Sequence, residues 1–369
     1  MAQGVRVNGA DVDARLALCK ELTELSGAPG FEHDVREAMR RHLEPLVDGI
    51  ETDRLGSLIG KKVGDADGPK IMLAGHLDEL GFMVTHITEG GFLRLQPLGG
   101  WWEQTMLAQR VTVHTRRGVL TGVVGSKPTH IIPAEERKQS VAMKEMFVDI
   151  GVNDREEAIA AGVRPGDAVV PICPFTVMHN PNYWMAKAWD NRFGCVVAIE
   201  ALRRLQGEAH PNVVYAVGTV QEEVGLRGAV TTANAILPDI AIALDTGVAG
   251  DTPNIRSGEA VGKLGRGPTL CLYDRSMIPH KGLRDLIMDT AEAENIPLQY
   301  ESMPGGATDA GSIHLHGLGV PSIFLGAPTR YIHSAASILH REDLESTIRL
   351  VTAVIRKLDR STVDTLLKY

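Results

Sequence analysis

Two adjacent carboxylates, Glu222 and Glu223, stand where the run Val213-Val214-Tyr215-Ala216-Val217-Gly218-Thr219-Val220 gives way to the turn formers of Gln221-Glu222-Glu223-Val224-Gly225-Leu226-Arg227-Gly228. A mostly apolar, β-favouring run bounded by such a turn predicts a buried strand. Carboxylates at its mouth are either a solvated loop edge or, if buried, in need of a partner or a metal ion, because an uncompensated charge is expensive away from water. Four further segments sit at comparable strand ends or strand–helix turns: His76-Leu77-Asp78-Glu79, Asp190-Asn191-Arg192, Asp245-Thr246-Gly247 and His333-Ser334. In open α/β sheets ligands gather beyond the carboxyl ends of the strands. Two imidazoles and at least three carboxylates meeting there form a nitrogen and oxygen site suited to zinc, cobalt or manganese.

Each member also has a plainer reading. His76 alone is an interior histidine with a hydrogen bond, although Asp78 two residues on is the carboxylate that metal-bound imidazoles usually engage. Asp190 caps the helix that follows it. Asp245 ends a strand, and His333 bonds to backbone before a run of small residues. The set as a whole, in this order, favours the chemical reading over five separate accidents.

The elements that must position these residues alternate. Helices are expected over about 11–25, with Val12, Leu16 and Cys19 at helical spacing, and over about 32–46. Lys70-Ile71-Met72-Leu73-Ala74-Gly75 reads as a buried strand ending at His76. From Val84 to Asn180 the texture becomes short β-favouring runs separated by turn signals, with Glu89-Gly90-Gly91 and Arg116-Arg117-Gly118 placed as hairpin loops. Lys138 to Met146 is polar and helix-compatible, a connector. The α/β rhythm then returns: a helix from Asn191, strands at 213–220, 239–245 and 320–325, a helix over 281–294, and a closing helix with Leu344, Ile348, Val351, Ile355 and Leu358 in one stripe. The expected architecture is α/β, a mixed sheet covered by helices on both faces, made from residues 11–83 and 181–369, with a small β domain inserted at 84–180.

Composition narrows the function classes. The 369 residues carry 38 Lys and Arg against 46 Asp and Glu, a net charge of −8, which lends no support to binding nucleic acid or a membrane surface. No stretch approaches the roughly 20 apolar residues of a membrane span, and Met1 to Ala10 has no signal-peptide pattern. Cys19, Cys173, Cys195 and Cys271 are scattered, without a CxxC, as expected of reduced thiols in a cytoplasmic protein.

In these residues the chain resembles the M42 family of dinuclear metallo-aminopeptidases, which includes the tetrahedral (TET) aminopeptidases and glutamyl-aminopeptidase-like enzymes. The resemblance rests on His76-x-Asp78, Asp190-Asn191-Arg192, Glu222-Glu223-x-Gly225, Asp245 and His333. It extends to Asp53-x-Leu55-Gly56, Lys127-Pro128, Gly305-Gly306-Ala307-Thr308-Asp309-Ala310 and Arg330-Tyr331-Ile332-His333. It implies a zinc-exopeptidase-like fold with a barrel-like insert. It also implies two divalent ions per subunit, one held by His76 and Asp245, the other by Glu223 and His333, with Asp190 between them. Asp78 would orient His76, and Glu222 would be the general base and acid. The implied substrates are short peptides cut at the N-terminus, and the implied assembly is a tetrahedral dodecamer built from dimers through the inserted domain. The nearest rival, an M20-type carboxypeptidase or deacylase, places its bridging aspartate soon after the first histidine; here a long β stretch intervenes. A glycoside hydrolase needs only two carboxyls and leaves both histidines and both aspartates without a purpose. A non-catalytic member of the fold would not be expected to keep the complete set.

Overall fold

The computed structural model describes residues 9–256 and 258–368. Met1 to Asn8 and the side chain of Val12, on which two of the expectations above fall, lie outside the described residues. Among those described, no helix is long and apolar enough to cross a membrane.

The frame is an eight-stranded sheet. In chain order its strands are β1 (Gly49–Thr52), β2 (Leu58–Val63), β3 (Lys70–His76), β12 (Val213–Thr219), β13 (Ile240–Val248), β14 (Thr269–Asp274), β15 (Gln299–Met303) and β16 (Ser322–Thr329). They lie side by side as β1-β2-β12-β3-β13-β16-β14-β15. The middle four, β12-β3-β13-β16, are mutually parallel, so their carboxyl ends share one edge, while β2 and β14 flank them antiparallel. The sheet is therefore mixed, as expected.

Period-two alternation decides which face each side chain takes. On β3, Ile71 and Leu73 join one core while Met72 and Ala74 join the other; on β12, Val214 and Ala216 oppose Val213, Tyr215 and Val217 in the same way. The larger core is closed by α1 (Gly9–Glu24), α2 (His33–Leu43), α4 (Trp189–Arg204), α6 (Lys281–Ala293), α8 (Arg341–Lys357) and α9 (Arg360–Leu366). The smaller is closed by α5 (Arg227–Ile236) and α7 (Ala310–Ile313). The predicted stripe of the closing helix is fully buried from Leu344 to Leu358.

Six strands form a closed barrel in the order β4-β5-β8-β7-β6-β9: β4 (Gly81–Ile87), β5 (Leu93–Leu98), β6 (Arg110–Thr115), β7 (Gly118–Gly125), β8 (Phe147–Asp149) and β9 (Ala168–Pro171). Both anticipated hairpins are present, β4–β5 and β6–β7. The helix-compatible segment at 138–146 forms only short 3-10 turns, and α3 (Arg155–Ala160) packs Ala158 into the barrel core. After the barrel, β10 (Thr176–Val177) pairs with β11 (Tyr183–Ala186), and β11 with β17 (Ser337–His340), in a small separate sheet. That sheet ties the barrel's exit to the segment carrying His333.

Candidate active site

Strand register places the site. The β12–β3 ladder runs unbroken from Val213↔Lys70 to Thr219↔His76, so the chain carrying Glu222 and Glu223 emerges beside His76. The β3–β13 ladder ends at Ala74↔Ala243, two residues short of His76 and Asp245. The diverging strands open a crevice at the carboxyl edge, with both side chains at its floor. Asp190 enters at the start of α4, where it and Asn191 depart from helical φ/ψ. His333 enters from the loop after β16. Local backbone is unusual here: Ala188, Gln221, Tyr331 and His333 hold φ of 56°, 57°, 61° and 57°. Left-handed conformations at such residues cost about 1–3 kcal/mol each and cluster at functional sites.

All seven singled-out residues converge. One oxygen of Asp190 lies 3.0 Å from His76 Nε2 and the other 3.3 Å from His333 Nε2, so the carboxylate spans the two imidazoles. Glu223 Oε2 is 3.8 Å from His333 Nε2, and Glu222 Oε2 is 3.9 Å from His76 Nε2. Ligand atoms of His76, Asp190 and Glu223 lie within 4.8 Å of one another, and so do those of His76, Glu222 and Asp245. Asp78 does more than the sequence suggested. His76 Nδ1 faces its main-chain oxygen at 3.1 Å and its carboxylate at 3.4 Å. The carboxylate oxygens meanwhile accept the amides of Glu222 (3.1 Å) and Glu223 (3.0 Å). One buried aspartate thus ties the exit of β3 to the glutamate pair.

The electrostatics follow from crowding acids in a dry crevice. Burial pushes Glu222 well above the ordinary carboxylate range; His76 opposes this, while Asp309, Asp245 and Glu223 add to it. Burial and Asp190 likewise push Asp245 well up, and Glu223 rises to about 8 by burial and Asp190. Burial would also raise Asp190, but hydrogen bonds from His333 and His76 outweigh it and hold this carboxyl below its usual range. His333 is pulled up to about 10 against its burial by Asp190 and Glu223, and His76 goes well above its normal value, burial being overcome by Glu222, Asp190 and Asp78. Positive charge is stabilised between the carboxylates. Glu223 Oε1 is buried with no hydrogen-bond partner among the described residues. Hard oxygen and imidazole donors, an orphaned carboxylate oxygen and mutually repelling acids all suit divalent cations.

Three contributors escaped the sequence reading. The Gly100 carbonyl, from the barrel side, faces His333 Nδ1 at 2.9 Å. Asp309 is buried, accepts from Thr219 Oγ1 at 2.5 Å and sits at about 6 by burial. It lies within a motif already noted, Gly305 to Ala310, without a role given to it. Buried Glu79 accepts from Lys187 Nζ and the Gly27 amide, bracing the loop that carries Asp78. Asp309 and Glu79 had a signal, the one its motif and the other its place beside Asp78; Gly100 had none.

Residues 56–350 match the M42 glutamyl aminopeptidase family. The chain belongs to peptidase family M42. It is a peptide hydrolase of the exopeptidase type, and the match separates it from the M20 pattern. Across 95% of its length it is 40% identical to the putative aminopeptidase FrvX of Escherichia coli K12, covering 97% of that protein. A TET aminopeptidase from the marine sediment archaeon Thaumarchaeota archaeon SCGC AB-539-E09 superposes with a TM-score of 0.94 at 46% identity, covering 96% and 99% of the two chains. Pyrococcus horikoshii TET1 peptidase, which can assemble into a tetrahedron or a large octahedral shell, gives a TM-score of 0.83 at 32% identity over 93% of this M42 chain and all of the other.

Proposed function

We propose that this M42 chain is a two-metal aminopeptidase that removes N-terminal residues from short peptides. The observation that carries the reading is Asp190, whose two oxygens face two imidazoles from opposite sides of the crevice. His76 and Asp245 would hold one ion, Glu223 and His333 the other, with Asp190 shared; zinc or cobalt suits the donors, and manganese is compatible. Two bound cations would polarise the scissile carbonyl and stabilise the oxyanion that develops on it.

The protein's own groups do the rest. Glu222, held by its amide on Asp78, takes a proton from the attacking water and delivers it to the leaving amine. A cavity of about 830 Å³, lined by the cluster and by Met303, Gly305, Gly306 and Ile332, receives the N-terminal residue. The relative that forms shells supports homo-oligomeric assembly, a tetrahedral dodecamer being the form proposed here. Four free cysteines suit a reducing cytoplasm.

The test is Glu222→Gln assayed on aminoacyl chromogenic substrates. It is expected to keep both metals by elemental analysis and to lose about 10²–10⁴-fold in turnover. Wild-type rates in this variant would sink the assignment. Wild-type activity that survives removal of both metals by chelation would overturn the two-metal reading.

A further inference from the structure

Beyond the metal cluster the cavity runs between the end of β13 and β15, and its wall holds a carboxylate that the chemistry above does not use. Glu301 is 5% exposed. Its Oε1 accepts the Val248 amide at 2.8 Å, whereas Oε2 is buried with no hydrogen-bond partner among the described residues. The hydroxyls of Thr246 and Thr308, which line the same cavity, are also buried without partners. An unsatisfied buried acceptor is costly unless a ligand supplies the donor.

Its position is set by a glycine. A Cβ at Gly247 would lie 2.0 Å from Glu301 Oε2, so the carboxylate fills the space where a side chain on β13 would project. Gly247 stands two residues after Asp245 and on the same face of the strand. The carboxylate is therefore displaced from the cluster by roughly 7 Å, one two-residue step along a strand, about the reach of an extended lysine side chain.

Among the described residues, no counter-ion acts on Glu301. Burial pushes the Glu301 carboxyl up to about 7, opposed only by the Val248 amide. Arg275 and Glu259 line the rim but are exposed to solvent. Met303, Val261 and Ile332 give the cavity an apolar stretch beside Ser276 and Ser302, which suits an alkyl stem that carries a charge at its tip. An acidic side chain here would meet a carboxylate, and a purely aliphatic one would leave Oε2 unsatisfied.

We propose that Glu301 is the specificity residue of this cavity and that the enzyme prefers peptides beginning with lysine or arginine. The inference rests on the aminopeptidase reading of the same site. Its test compares the p-nitroanilides of lysine, glutamate and 2-aminoheptanoic acid, the last placing a methyl where lysine has its ammonium. In the wild type, kcat/KM for the lysyl substrate should exceed that for 2-aminoheptanoyl by about tenfold or more, mostly through KM, with glutamyl lowest. E301Q should bring the first ratio close to one while leaving 2-aminoheptanoyl turnover within about twofold of wild type. A wild-type ratio of one or less overturns the proposal, whether or not E301Q folds. So does an E301Q that slows both substrates equally, since that would mark a structural group or one that binds the α-ammonium. Release of no substrate under any metal would overturn the aminopeptidase reading along with it; release without lysyl preference overturns this inference alone.

Discussion

The sheet domain and the barrel bury different kinds of group. Among the described residues, no polar or charged side chain between Gly81 and Pro171 is fully buried, and the barrel interior is Phe82, Val84, Leu93, Val111, Val113, Val148 and their neighbours. The sheet domain buries many, and those around the crevice include His76, Asp78, Glu79, Glu222, Asp245, Glu301 and Asp309. A barrel closed on apolar side chains supports itself by packing alone. A crevice full of acids does not, and it holds its shape through cross-links such as Asp78. Among the described residues, the segment after β5 meets the cluster at Gly99, which packs against Glu223, and at the carbonyl of Gly100, which faces His333.

This contrast can be broken in three places. The largest effect should come from the barrel core. Leu93→Ala, at a fully buried position, should destabilise the fold by about 2–5 kcal/mol. Metal content of the folded fraction should not change. Metal loss in protein still folded by circular dichroism would mean that the two regions are not separable.

Next is a pH effect that belongs to the sheet side. Glu32 accepts the amides of Gly30 and Gln221, and burial, with Asp78 adding, pushes it up to about 7. Between its ordinary value and 7 the folded protein holds a proton that the unfolded chain has released. Stability contributed by this group therefore falls as pH rises from about 4.5 to 7 and is level above. Glu32→Gln should flatten that fall by at most about 3 kcal/mol in denaturant titrations of chelator-treated protein. Parallel wild-type and variant curves would remove Glu32 from the account.

The smallest effect tests the contact at Gly100. At Gly100 a Cβ would come 3.0 Å from His333 Nδ1, so Gly100→Ala should shift the imidazole by a few tenths of an ångström. Turnover and metal affinity should fall by about tenfold or less, since outer partners of metal ligands are worth 10–100-fold when removed outright. Thermal stability should hold. Unchanged metal affinity would make the barrel a bystander to the site.

What could be read in advance follows the range of each interaction. The helical stripe from Leu344 to Leu358 and the alternation on β3 and β12 are local, and they were legible. So was the polar edge, because apolar runs give way to His76, Glu222 and Asp245 at or near the carboxyl ends of β3, β12 and β13. The outer strands β14 and β15 carry no comparable pattern: Gln299-Tyr300-Glu301-Ser302-Met303 is mostly polar, and Glu301 was invisible as a buried acid. The left-handed φ of Ala188, Gln221 and His333 could not be foreseen either, since none is glycine and each is imposed by its surroundings.

By itself, the sequence determined the residue types of the cluster, imidazole and carboxylate without thiolate, and the periodicities that put them at or just beyond strand ends. Both depend only on residue type and on neighbours a few positions away. Only the tertiary structure decided that β3 and β13 diverge just before His76 and Asp245, that Asp190 spans two imidazoles, that Asp78 clasps the glutamate amides, and that Gly247 makes room for Glu301. Those placements depend on strand order and register, and these are set by burial between segments far apart in the chain.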